Sequence, residues 1–155
     1  MRRQMRRKAA AAVSVVAALS VATGASAKGP QSASLAGPGL EQRSLTFVGN
    51  GEMGQGTPLG KLVDSTGFFA QMYGQTPDPT LKTRPTGTLG PRYRVTYVVP
   101  GPNGIRSRVV QDVYPFAKPT ALTYMRPAQR YWGSRLTHGG WYTTSATLKR
   151  VLHLG

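Results

Sequence analysis

The groups able to do chemistry in this 155-residue chain are few. Its histidines are His138 and His153, and its acids are Glu41, Glu52, Asp64, Asp78 and Asp112. Without cysteine it has neither a disulfide staple nor a thiolate. A zinc site wants three or four N, S or O ligands at short spacings, and no such neighbour stands beside His138, so no metal site is expected. Neither H-E-x-x-H nor G-x-S-x-G occurs. Thr137-His138-Gly139-Gly140-Trp141 could set an imidazole on a loop beside an aromatic ring, with Asp112 as a distant orienting partner. A tight turn entering a strand is the preferred reading, because one histidine without a placed partner does not make a catalyst. Nor is a carboxylate pair for glycoside hydrolysis visible, since Glu41 and Glu52 lie in a Gly-rich stretch and Asp112 among arginines. No catalytic residue is assigned, and the balance is against an enzyme.

Gly49-Asn50-Gly51-Glu52-Met53-Gly54 matches G-x-G-x-x-G after an apolar island at 45–48. The motif holds a dinucleotide only where a helix opens on it and presents its first N–H groups to the pyrophosphate. Gly56, Pro58 and Gly60 disrupt such a helix, so no dinucleotide or other cofactor is expected. Two further sets could bind without reacting. Arg92, Arg94, Arg106 and Arg108 are candidate anion contacts, because the guanidinium fork matches phosphate and carboxylate oxygens. Tyr124, Tyr131, Trp132, Trp141 and Tyr142 crowd into 19 residues, interleaved with Arg126, Arg130 and Arg135. Exposed, the set Tyr131, Trp132, His138 and Trp141 would suit contacts with sugars. Buried, the rings are core, which is the preferred reading for a small domain with four phenylalanines.

Proline sorts the elements that must position these groups. Beyond Pro58 it recurs so often between Pro77 and Pro127 that only 59–76 and 128–155 remain there as long proline-free windows, and proline inside a helix costs about 3 kcal/mol. In the first window Asp64 or Ser65 could cap a short helix carrying Phe69, Met72 and Tyr73 before Gly74. In the second, Ser145 or Thr144 could cap a terminal helix with Leu148, Val151 and Leu152 on one side and Lys149 and Arg150 in its later turns. Between them, 93–99 and 105–114 flank Gly101-Pro102-Asn103-Gly104. Pro102 suits the first corner of a type I turn, Asn103 the second, and Gly104 the left-handed position of a G1 bulge. That loop pairs Gly101 with Ile105, so partner numbers sum to 206 and the register decides the faces. Tyr93, Val95, Tyr97, Val99, Val109 and Val113 then share a core side with Ser107 and Gln111. Arg94, Thr96, Val98, Arg106, Arg108, Val110 and Asp112 share a basic side, with Arg94 opposite Asp112. Further strands at 121–125 and 141–143 complete the expectation: an α+β, β-rich fold, a small antiparallel sheet built on a central hairpin with a short C-terminal helix.

Residues 1–27 read as a secretory signal peptide. Arg2, Arg3, Arg6, Arg7 and Lys8 precede an uncharged run of 14 residues over 9–22, and Ala25-Ser26-Ala27 supplies the cleavage site. A membrane span takes roughly 20 predominantly apolar residues, so the run is short for a retained anchor. The paired arginines leave the general and twin-arginine routes both open. Cleavage leaves 128 residues with 15 Lys and Arg against five acids, a charge of +10, which attracts polyanions and anionic surfaces. Residues 28–58, rich in Gly, Ser, Pro and Gln, are expected as a flexible arm, and 59–155 as a single β-rich domain.

The Arg-then-Ala head, the Ala/Gly/Thr/Val-heavy composition and Leu89-Gly90-Pro91-Arg92-Tyr93-Arg94-Val95-Thr96-Tyr97 resemble short exported proteins of actinobacterial type. The resemblance covers the head and residues 77–155. It implies export and a β-rich domain and transfers no catalytic residue. With the charge, it leads to the expectation of an exported binding module, extracellular or wall-associated, that engages an anionic envelope polymer or acidic surface through Arg92, Arg94, Arg106 and Arg108. The alternatives are a glycan-binding or glycan-active protein using the aromatic cluster, and an exported protein-partner module such as an inhibitor. Charge alone also permits nucleic acid, but export separates the protein from the genome.

Overall fold

In the computed structural model, which describes residues 28–154, the chain runs β1 (Ser32–Ala36), β2 (Leu45–Val48), α1 (Pro58–Thr66), α2 (Phe68–Tyr73), β3 (Tyr93–Pro100), β4 (Arg106–Tyr114), β5 (Leu122–Met125), β6 (Arg130–Tyr131), β7 (Arg135–Leu136), β8 (Gly140–Thr143) and α3 (Thr147–Val151). The signal expected over 1–27 lies outside the described residues. Six strands form one antiparallel sheet in the order β2-β1-β3-β4-β5-β8, and β6 with β7 makes a separate small hairpin. The β-rich α+β architecture built on a central hairpin and closed by a terminal helix is the one the sequence predicts.

In the β3–β4 ladder Tyr93 faces Val113 and Arg94 faces Asp112, the predicted register. The corner reaches it differently. Asn103 (φ 56°, ψ 31°) and Gly104 (φ 74°) are both left-handed, and the Ile105 N–H donates to the Pro102 carbonyl at 3.1 Å. This is a primed corner, whose twist matches that of the strands. The Gly101 N–H donates to the Ile105 carbonyl at 2.7 Å, so the extra residue sits at Pro102 and not in a bulge at Gly104.

Residues 28–58 are not an arm. β1 lies inside the sheet, with Ser34 paired to Thr46 of β2 on one side and to Thr96 of β3 on the other. Ala33, Leu35, Leu40 and Phe47 are buried in the core. The domain therefore includes this segment as well as 59–154. Ser and Ala have weak strand preference, yet between two partners the backbone of β1 satisfies its donors and acceptors whatever its side chains.

The helices cover the inner face of the sheet. α1 begins at Pro58, earlier than a cap at Asp64 or Ser65 would allow, because Thr57 Oγ1 accepts the Gly60 N–H at 3.1 Å and Pro58 has no N–H to satisfy. Gly67 (φ 68°) ends it and α2 follows, closing at Gly74 as expected. α3 buries Leu148, and Leu152 is buried just beyond it. The Ser145 hydroxyl accepts the Thr147 N–H at 3.3 Å, while Ala146 occupies the cap position itself.

One polar knot crosses this core. Gln111 Nε2 donates to the Thr66 carbonyl (2.9 Å) and to Gln71 Oε1, and Gln111 Oε1 accepts from the Tyr97 hydroxyl at 2.8 Å. Thr66 Oγ1 lies 3.0 Å from the same hydroxyl, Thr123 Oγ1 donates to the Thr66 carbonyl at 2.8 Å, and Gln71 Nε2 reaches the Gly140 carbonyl at 2.8 Å. All five side chains are buried, and each is partnered, as buried polar groups must be. Burial raises the Tyr97 phenol far above its ordinary pKa, so it stays a neutral donor.

Candidate basic face of the sheet

The outer face is laid down by strand alternation. With Tyr93, Val95, Tyr97 and Val99 buried inward, Arg94, Thr96 and Val98 stand outward, as do Arg106, Arg108, Val110 and Asp112 across the ladder. Arg94, Arg106 and Arg108 are exposed, so the predicted arginines share one open side. They are not adjacent. At about 3.3 Å per residue, roughly 20 Å of β4 separates Arg106 from Asp112. Arg94 Nε meets Asp112 Oδ1 at 3.4 Å, and Arg92 Nη1, just outside β3, meets Asp112 Oδ2 at 3.8 Å. Among the described residues these are the only Arg or Lys with a carboxylate within 4.0 Å.

Arg126 joins the face where β5 ends. The β4–β5 ladder pairs Asp112 with Tyr124 and Gln111 with Met125, after which Pro127 turns the chain away. Gln129 then takes the place of the missing strand. Its Oε1 accepts the Val110 N–H (2.9 Å) and its Nε2 donates to the Val110 carbonyl (2.8 Å), satisfying β4 where backbone pairing has stopped. The result is a concavity of about 310 Å³ lined by Arg94, Arg126, Asp112, Val110, Tyr124 and Gln129. Two guanidinium groups border it, and its one carboxylate is already engaged by Arg92 and Arg94.

The other part of the outer face is covered. Tyr114, Ala117 and Leu122 are buried beneath Leu89, Tyr124 and Trp141. Trp141 and Leu81 exchange backbone hydrogen bonds at 2.8 Å, which ties the 77–91 loop over β8.

The aromatic set does not assemble. Tyr131 is buried in the inner core, and burial with Tyr131 alongside pushes the neighbouring Tyr73 phenol up to about 12. Trp132 (φ 47°) packs its ring on Gly101, where even a β-carbon would come within 2.4 Å of the indole, and its buried Nε1 has no partner among the described residues. Trp141 stands on the opposite face, its ring centroid 4.6 Å from that of Tyr124 and 5.8 Å from that of Tyr114. These rings serve packing.

His138 is exposed, and its carboxylate partner is Asp78, not the Asp112 that a catalytic reading of the loop would have required. Nε2 lies 2.7 Å from Asp78 Oδ2 and 3.3 Å from Thr80 Oγ1. Backbone and hydroxyl hydrogen bonds from Thr80, then His138, hold the Asp78 carboxyl below its ordinary pKa. Carboxylate and hydroxyl meet the same ring nitrogen, so no proton path runs from hydroxyl through the ring to the acid as in a nucleophilic triad. The glycine motif is likewise engaged internally: the Gly54 N–H points at the Asp64 carboxylate (3.1 Å), and the helix that follows the motif begins only at Pro58. Among the described residues no group of three His, Asp or Glu is placed to hold a metal ion.

Comparison with protein-family models, with curated proteins and with solved structures finds no match for this chain. Sequence reasoning set Arg126 among the aromatic rings instead of on the basic face, and missed Gln129 and the Asp78–His138 pair. Arg126 alternates with Tyr124, a signal usable only once β5 is known to pair with β4.

Proposed function

We propose that this protein is an exported, non-enzymatic binding module that holds an anionic envelope polymer against the outer face of its sheet. The observation that carries the reading is the concavity between Arg94 and Arg126, set on a face where Arg106, Arg108 and Arg126 have no carboxylate within 4.0 Å among the described residues. Guanidinium groups spaced along a strand suit a chain that repeats phosphate or carboxylate groups better than one compact anion. The +10 charge of residues 28–155 draws such a chain in from a distance. Export rests on the composition of residues 1–27.

The test is retention on immobilised heparin, a polyanion probe, across a salt series. Changing Arg94, Arg106 and Arg108 together to Glu is expected to lower the eluting salt concentration and flatten the salt dependence, because fewer counterions are released on binding. These side chains are exposed, so the thermal unfolding midpoint should stay near that of the parent. Unchanged retention refutes the reading.

A further inference from the structure

Pro58 and Lys61 of α1 and Arg150, Val151 and His153 around the end of α3 line one concavity of about 290 Å³. It lies on the helix side of the sheet and shares no residue with the concavity between Arg94 and Arg126. Lys61, Arg150 and His153 are exposed, and among the described residues none of them has a carboxylate within 4.0 Å. The one acid of α1, Asp64, is turned to the Gly54 N–H at 3.1 Å. Pro58 is the first residue of α1, so the concavity stands at the helix end whose dipole favours negative charge. Two carbonyls of α3 are closed: the Leu154 N–H donates to that of Lys149 at 2.9 Å and the His153 N–H to that of Arg150 at 3.1 Å. This pair of bonds needs a left-handed residue at its corner, ordinarily glycine. Here the corner is His153, at φ 56°, a conformation that a β-carbon disfavours. An imidazole kept where glycine turns more easily, beside two cations without carboxylate partners, points to a ligand.

We propose that this concavity is a second anion site, which takes the phosphate group of a small phosphomonoester. Two cations and an imidazole suit a phosphate dianion better than a singly charged carboxylate, and Pro58 and Val151 offer apolar wall to the organic part of an ester. The site stands or falls apart from the polymer-binding reading. In its test the full chain is titrated calorimetrically with phenyl phosphate, inorganic phosphate, benzoate and phenol at about 0.15 M salt, where fields beyond about 8 Å are screened. One phenyl phosphate per chain is expected to bind, at least threefold more tightly than inorganic phosphate and at least tenfold more tightly than benzoate, while phenol does not bind. Lys61→Gln and Arg150→Gln should each weaken phenyl phosphate at least fivefold. The joint change of Arg94, Arg106 and Arg108 to Glu, across the sheet, should leave its affinity within twofold. His153→Gly removes the imidazole and relieves the left-handed corner, so binding should weaken at least threefold while the thermal unfolding midpoint does not fall. Several phosphates per chain, benzoate binding as tightly as phenyl phosphate, or unchanged affinity in the Lys61 and Arg150 variants overturns the proposal. A midpoint several degrees lower in His153→Gly would return that ring to packing on Phe47, whose centroid is 6.1 Å away, and overturn its assignment to the site.

Discussion

On the inner face of the sheet, Gln111, Gln71, Thr66, Thr123 and Tyr97 all find partners within the protein. On the outer face, Arg106, Arg108 and Arg126 find no carboxylate within 4.0 Å among the described residues. In β4 the two sets alternate, Gln111 inward and Arg106 and Arg108 outward, while α1 and α2 bring Thr66 and Gln71 to the inner face. The difference follows from solvent. A buried amide left unpaired costs about 1–3 kcal/mol, so these five side chains close on one another and on nearby carbonyls. A guanidinium group in water is already solvated, so the exterior can leave its charges open. Residues committed to the fold and residues available to a partner are thereby separated, although they are neighbours in the chain.

Three substitutions break or sharpen this comparison. Leu35→Ala, in β1 between β2 and β3, removes a fully buried side chain and is expected to cost about 2–5 kcal/mol, a large share of a small domain's stability. Chemical denaturation measures it, and an unchanged midpoint would mean that residues 28–58 do not belong to the inner face. Gln111→Leu keeps the volume but strips the knot of its shared amide, at an expected cost of about 1–3 kcal/mol. A neutral or stabilising result would show that the knot is not what closes the interior. Asp112→Asn should move stability by at most about 1 kcal/mol, since its partners are exposed arginines. The same change removes the one acid lining the concavity, so polyanion affinity should rise a few-fold in a binding titration. A fall in affinity would make Asp112 part of the recognition surface rather than a counter-charge.

Much of the hairpin was legible because its determinants are local. The loop between Gly101 and Ile105 has an odd number of residues, and with period-two alternation this places Arg94 opposite Asp112 whether the corner is plain or primed. The terminal helix was legible from the spacing of Leu148 and Leu152. The concavity was only half legible. Arg94 follows from the hairpin, whereas Arg126 and Gln129 depend on where β5 stops, and β5 pairs with β4 across a loop with no recognisable turn chemistry. The Asp78–His138 contact joins residues 60 positions apart, and neither neighbourhood points to the other.

By itself the sequence determined the excess of positive charge, the absence of thiol chemistry, the helix windows left by proline and the two-sidedness of the central ribbon. Each depends on residue type or on contacts a few positions apart. Only the tertiary structure decided that a strand rich in serine and alanine is paired on both sides within the sheet, that two glutamines lock the helices to it, and that the aromatic rings divide between its faces. Such pairings are made by backbone groups common to all residues, or by side chains brought together across long stretches of chain. Their energy depends on what surrounds them, and no local pattern records it.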